Sequence, residues 1–425
     1  MQKKHYKNIG ETLYTEVLPN GLTINIVPKP DYTKTYAMFA TNYGGADRRF
    51  KLGGQWIDTP AGVAHFLEHK MFDLPGGENA LNILSSRGAS PNAFTSSGMT
   101  AYYFDCTDSF DENLRTLLHF VSTPYFTAES VQKEQGIIGQ EIRMIEDNPG
   151  FAVYNRLMRC LYASNPVRDS VAGTVDSIAE ITDQTLYHCH NVFYNPSNMT
   201  LAVVGNADPE AVIAAAMELL PADGGEIPKR DYGSKESELP VESLTETEME
   251  VSAPQFLFGA KVTPEETGLP RLRQMLVGDV ALSLVFGHSS PLYTKLYESG
   301  LLTGSFDYEA DYCAGTASIL VSGESRDVSA VSAALNEEIQ NIISGGLDEK
   351  RFENTKKALF GLELRALGSF SSLAQSLVSG SFAGFCPLDA FDALSSISIQ
   401  EVRDYIARYL SSEKIALSII NPQQR

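Results

Sequence analysis

Residues 65–69 read His-Phe-Leu-Glu-His, and no other stretch constrains this chain as much. On an α-helix, His65 and His69 stand one turn apart on one face, so two imidazoles can grip one metal ion. Glu68 follows His65 by three positions and can reach a water on the same ion. A carboxylate there can take the proton of a metal-activated water, which is the chemistry of a hydrolase. The flanking residues suit a helix. Thr59 fits an N-cap, Pro60 a first helical position, and Pro75-Gly76-Gly77 a stop. Phe66, Met71 and Phe72 supply the apolar positions around the histidines.

Catalytic zinc keeps three protein ligands and one open position, so a third ligand must come from elsewhere. The run 134–146 offers Glu134, Glu141 and Glu146. Glu134 and Glu141 share one helical face, while Glu146 lies about 140° away by the helical period. Glu141 is flanked by Ile137, Ile138, Ile142 and Ile145, as befits a carboxylate facing inward. Glu134 can orient a ligand from behind. A solvated acidic helix face would look similar, and the upstream histidines decide for the ligand reading. The other histidines carry less. His188 and His190 follow a helix start at Thr182 to Thr185 and so face different ways, as ordinary helix residues. His119 borders an apolar stripe and reads as a packed histidine.

These residues resemble the pitrilysin/insulinase family of inverted-zincin metallopeptidases, in the size class of the mitochondrial processing peptidase subunits. The match rests on Ala64 to His69, on Glu134 and Glu141, on Pro91-Asn92-Ala93-Phe94-Thr95, and on Phe193 to Met199 followed by Leu201 to Gly205. The resemblance implies that His65, His69 and Glu141 hold one Zn2+ per chain. It makes Glu68 the general base and Glu134 a supporting carboxylate. Asn92, Ala93 and Phe94 would hold a peptide substrate as an added strand. The implied fold class is α+β, with two similar domains. Each would be a mixed, mainly antiparallel sheet with helices packed on one face, of the mitochondrial processing peptidase/LuxS type.

One departure stands out. Active family members carry an Arg and a Tyr that hold the substrate carbonyl. In the comparable stretch Leu292 to Thr303 the Arg position falls on Tyr297 and the Tyr position on Thr303. The resemblance therefore implies a heterodimer in which a homologous subunit supplies both donors. A shifted alignment of the second half, with Tyr308 or Tyr312 as donor, and a homodimer are the alternatives. A peptide-binding, chaperone-like subunit with little hydrolytic activity of its own is the rival function.

Length and composition bound the rest. A chain of 425 residues exceeds one ordinary core. The Gly-, Pro-, Lys- and Glu-rich run Pro221 to Pro240 reads as a linker, so the expected domains are 1–220 and 245–425 with a linker at 221–244. A net charge of -20 repels phosphate and excludes nucleic acid as partner. Five scattered cysteines suit a reducing cytoplasm. The polar N-terminus lacks an apolar signal region, and no run reads as a membrane span. Strands are expected around a hairpin at Pro19-Asn20-Gly21, at Thr35 to Asn42, Ala101 to Asp105 and Phe256 to Val262. Helices are expected at Glu112 to Thr123, near 270–286 and near 327–343, with a break at Asp147 to Gly150.

Overall fold

The computed structural model describes residues 1–423. The chain opens with strands Gln2–Tyr6 (β1), Glu11–Val17 (β2), Thr23–Pro28 (β3) and Thr35–Thr41 (β4), then a small hairpin, Arg49–Leu52 (β5) and Gln55–Asp58 (β6). Helices Val63–Lys70 (α1) and Ala80–Ser86 (α2) precede strands Ser90–Thr95 (β7) and Thr100–Cys106 (β8). Five helices follow: Phe110–Ser122 (α3), Ala128–Glu146 (α4), Pro149–Leu161 (α5), Val175–Ala179 (α6) and Asp183–Phe193 (α7). Strand Met199–Gly205 (β9), helix Pro209–Leu219 (α8) and the short strand Lys229–Arg230 (β10) complete the first half.

The second half begins with Leu244–Met249 (β11) and Gln255–Val262 (β12), then helices Leu269–Phe286 (α9) and Pro291–Glu298 (α10). Strands Leu302–Cys313 (β13) and Thr316–Ser325 (β14) lead to Val328–Gly345 (α11), Glu349–Ala366 (α12) and Phe370–Ala383 (α13). Ala390–Ser395 (α14), Ile399–Tyr409 (α15) and Ile415–Pro422 (β15) end it.

Two compact units result, and each borrows a segment from the other half. The first comprises Met1–Ile142, Ser170–Tyr232 and Leu364–Leu388, and the second Arg143–Asp169, Gly233–Glu363 and Asp389–Arg425. This differs from a division at residues 220 and 245. Helix α13 packs on β9 and β4, with Asn25 on β3 donating to Ser381 Oγ at 2.8 Å. Helix α5 packs on β15 and β12, and Leu157 and Leu161 close on Gly259. The run 221–244 is not a free tether. Arg230 and Tyr232 bond Asp47 in the first unit, while Glu236 accepts from the backbone N–H groups of Ser164 and Asn165 in the second.

The larger sheet runs β1-β2-β3-β9-β4-β8-β7 and the smaller β11-β15-β12-β14-β13. The strand pairs β3 with β9 and β11 with β15 are parallel, and all other pairs in these two sheets are antiparallel. Strands β4 and β9 are buried at every residue, which means that both faces of the sheet centre are covered. The hairpin at Gly21 (φ +87°), the break before α5 and the expected strands and helices are all present. Asn148 caps α5 and Pro149 takes its first position. Residues 269–298 are long and apolar enough to cross a membrane, contrary to expectation, but two-thirds of their most apolar window is buried in the protein. Helix α9 packs on α15, α14 and β13, as a core helix does.

Candidate metal centre

Helix α1 starts at Val63, later than Thr59 and Pro60 suggest. Its N-cap is Gly62 in the left-handed region, at φ 96°. A Cβ on Gly62 would stand 2.7 Å from the Ala172 carbonyl oxygen and 3.1 Å from Ile178 Cγ2. Tertiary packing thus sets this helix end where local preference would have set another. Ser177 Oγ donates to the Ala61 carbonyl at 2.9 Å. From α4, Gln135 Nε2 donates to the carbonyls of Ile178 at 3.3 Å and Ile181 at 3.0 Å. The segment 172–181 therefore ties the start of α1 to α4 and sets the glutamates opposite the histidines.

His65 Nε2 lies 3.5 Å from Glu141 Oε1, and His69 Nε2 lies 3.5 Å from Glu141 Oε2. One ligating atom from each of the three residues falls within 4.8 Å of the others. Zinc bonds of about 2.0–2.2 Å in a tetrahedron put donor atoms roughly 3.3–3.5 Å apart, so the spacing fits that ion. The donor set, two imidazole nitrogens and a carboxylate, also matches its chemistry. Behind His69, Nδ1 meets Glu134 Oε1 at 3.0 Å. A carboxylate there keeps the proton on Nδ1 and leaves Nε2 free as a ligand. His65 has no such support: its Nδ1 is buried without a hydrogen-bond partner among the described residues.

Electrostatics follow from this geometry. Burial works against the charged form of His69, yet its bond to Glu134 and the nearby Glu141, Glu134 and Glu68 charges outweigh that and raise its pKa. The bond from His65 holds Glu141 below the usual carboxylate range, against the effect of burial. Carboxylates converging on two imidazoles make a site suited to a divalent cation.

Glu68 projects from the same helix. Thr95 Oγ1 donates to its Oε2 at 2.6 Å. Thr95 ends β7, the edge strand on which Asn92, Ala93 and Phe94 lie, and α1 packs against that strand. Asn92 is exposed, and the Ala93 N–H donates to Asn92 Oδ1 at 2.9 Å. Helix α4 ends at Glu146, an exposed residue outside the His65, His69 and Glu141 group. Of the apolar neighbours of Glu141, Ile138 and Ile142 are buried, whereas Ile137 is exposed. Thr95 bears no sequence signal of a site role beyond its place on the strand Pro91 to Thr95, and its contact with Glu68 follows from the packing of α1 on β7.

The remaining candidates separate cleanly. His190 is buried and its Nε2 bonds the Val121 carbonyl at 3.0 Å. His119 is exposed, not packed. Tyr297 is 66 % exposed and stacks on Tyr293, and Thr303 is exposed. Tyr308 packs near Phe286, and Tyr312 lies under the Arg271 guanidinium.

Comparison with known proteins agrees with this geometry. Residues 53–175 match the profile of "Insulinase (Peptidase family M16)", and residues 180–359 that of "Peptidase M16 inactive domain". "Uncharacterized zinc protease YmfH" of Bacillus subtilis (strain 168) is 37 % identical over 432 residues, covering 98 % of each chain. "Uncharacterized zinc protease YmxG" of the same organism is 25 % identical over 394 residues, 87 % of this chain and 92 % of its own. A crystal structure described as an M16-like peptidase from Alicyclobacillus acidocaldarius superposes with a TM-score of 0.93 at 31 % identity, over 97 % of this chain and 99 % of that one. A protease from Helicobacter pylori shares the fold, with a TM-score of 0.82 at 17 % identity over 96 % and 99 %. The chain belongs to peptidase family M16, the insulinase family.

Proposed function

We propose that this protein is a zinc-dependent endopeptidase that cleaves small or unfolded peptides. The observation that carries this reading is the convergence of His65 Nε2 and His69 Nε2 on the Glu141 carboxylate, with Glu68 on the same helix. His65, His69 and Glu141 would hold one zinc ion, and Glu134 would orient His69. Bound zinc supplies Lewis acidity. Glu68 takes the proton of the attacking water and delivers it to the leaving amide nitrogen. The free edge of β7 at Asn92, Ala93 and Phe94 receives the substrate as an added strand, which reads backbone more than side chains.

Glu68→Gln tests the assignment. The variant should keep its zinc and lose roughly a hundredfold or more in turnover, because the amide cannot accept the proton. Near-normal turnover by zinc-loaded Glu68→Gln would remove Glu68 from the mechanism.

We also propose that a homologous subunit supplies the carbonyl-binding donors. By the resemblance to the family, the Arg position falls on Tyr297 and the Tyr position on Thr303, so this chain lacks both donors. Missing donors cost on the order of a hundredfold to a thousandfold each. The isolated chain should therefore cleave poorly and recover on addition of a homologous chain bearing both residues, in a 1:1 complex. Robust cleavage by the chain alone would overturn the heterodimer.

A further inference from the structure

We infer that Thr95 is a positioning residue for Glu68, assigning different roles to its two carboxylate oxygens. The inference rests on Glu68 acting as the general base. The Thr95 Oγ1 to Glu68 Oε2 bond, at 2.6 Å, has the length of a charge-assisted hydroxyl–carboxylate bond. It engages Oε2 only and leaves Oε1 to take a proton from water.

The partner strand is compatible with this direction. Thr95 pairs with Thr100 across β7 and β8, and their hydroxyl oxygens are 3.3 Å apart. Thr100 has one hydroxyl proton, and it goes to the Tyr43 carbonyl at 2.9 Å, which can only accept. Toward Thr95 the Thr100 oxygen is therefore an acceptor only, and the Thr95 proton goes to the closer and charged Glu68 Oε2, at 2.6 Å against 3.3 Å. An ionised carboxylate accepts only, so the Thr95 hydroxyl is the donor.

The backbone that carries Thr95 is fixed from outside. The turn after β7 closes with Ser96 N–H on the Met99 carbonyl at 2.8 Å. Gly45 and Ala46 donate to the carbonyls of Ser96 and Ser97 at 2.9 and 3.0 Å. A Cβ on Gly44 would come within 2.5 Å of the backbone at Ser96 to Gly98, so the two loops lie in direct backbone contact. Asp47 Oδ2 in turn accepts from Gly44 N–H at 2.9 Å. A hydroxyl mounted on an edge strand braced in this way holds the carboxylate to one rotamer. A general base displaced by as little as about 1 Å can lose roughly a hundredfold.

The test compares Thr95→Val, which keeps shape and removes the donor, with Thr95→Ser, which keeps the donor. Two measurements are made on each. The first is a stability cycle on zinc-free protein with Thr95→Val, Glu68→Ala, which removes the acceptor, and the double variant. A real Thr95–Glu68 bond makes the two losses non-additive, and additive unfolding midpoints would overturn the inference whether or not the protein is a peptidase. The second is turnover of zinc-loaded protein, with its partner chain if one is required. Thr95→Val should lower kcat by roughly tenfold to a hundredfold with KM and zinc content unchanged, and Thr95→Ser should recover most of it. Equal losses in both variants, or a change confined to KM, would overturn the positioning role. If wild-type cleavage proves insensitive to Glu68→Gln while the stability cycle shows coupling, the peptidase reading fails and the Thr95 contact stands.

Discussion

The two units share one strand plan and differ in what they build on it. In the first, β3, β9, β4, β8 and β7 follow one another with one parallel pair and then antiparallel ones. In the second, β11, β15, β12, β14 and β13 repeat both the order and the sense. Each sheet ends on an edge strand reached through two helices, α1 and α2 before β7, α9 and α10 before β13. Only the first pair carries His65, Glu68 and His69. In the second, α9 is an apolar core helix and α10 shows an exposed Tyr297. The fold thus supplies a frame twice, and the metal chemistry comes from a few side chains placed on one copy.

The largest difference should come from two glycines in the left-handed region. Gly62 opens α1, and a side chain there meets the Ala172 carbonyl, whereas Gly300 after α10 (φ +68°) has open space. Gly62→Ala should cost about 2–5 kcal/mol, from the backbone penalty plus overpacking, and Gly300→Ala about 1–2 kcal/mol. Denaturant unfolding of both variants checks this, and equal costs would mean that the 172–178 contact does not set the start of α1.

Acid should weaken the first unit next. Burial pushes His190 down to about 4, against the pull of its bond to the Val121 carbonyl. Its folded pKa lies below its unfolded value of about 6.5, so the unfolded chain binds the proton more readily. Its stabilisation is complete above pH ~6.5 and is lost as the pH falls toward 4, by about 3 kcal/mol at 1.36 kcal/mol per unit. Melting curves across that range should be flatter for His190→Gln, and parallel curves would contradict this reading.

A smaller effect separates the two zinc-helix histidines. Glu134→Gln should weaken zinc binding by roughly tenfold to a hundredfold, because it removes the carboxylate charge behind His69. His65 has no equivalent neighbour to remove. The smallest effect is expected in the second unit, where Tyr297→Ala should leave zinc affinity within about twofold. A larger change on competition with a chelator would place a metal role on the wrong copy.

What the sequence showed and hid follows from the physics of each element. The metal helix was legible because its chemistry sits in five consecutive residues. Helix α3 was legible from Leu114, Leu117, Leu118 and Val121, all buried. The exchange of α5 and α13 was hidden, since helical periodicity marks an apolar face without naming the sheet that covers it. Strand β1 was hidden because Gln2 to His5 are exposed, so no apolar alternation marks it. The contact of Thr95 with Glu68 joins residues 27 positions apart and follows only from the packing of α1 on β7.

The most direct test of the central claim, that His65, His69 and Glu141 form one metal site, is zinc content per chain in the wild type and in Glu141→Gln. The account predicts close to one zinc in the wild type and severe loss in the variant after dialysis against a weak chelator. Full zinc in Glu141→Gln would contradict it and move the third ligand to Glu134 or Glu146.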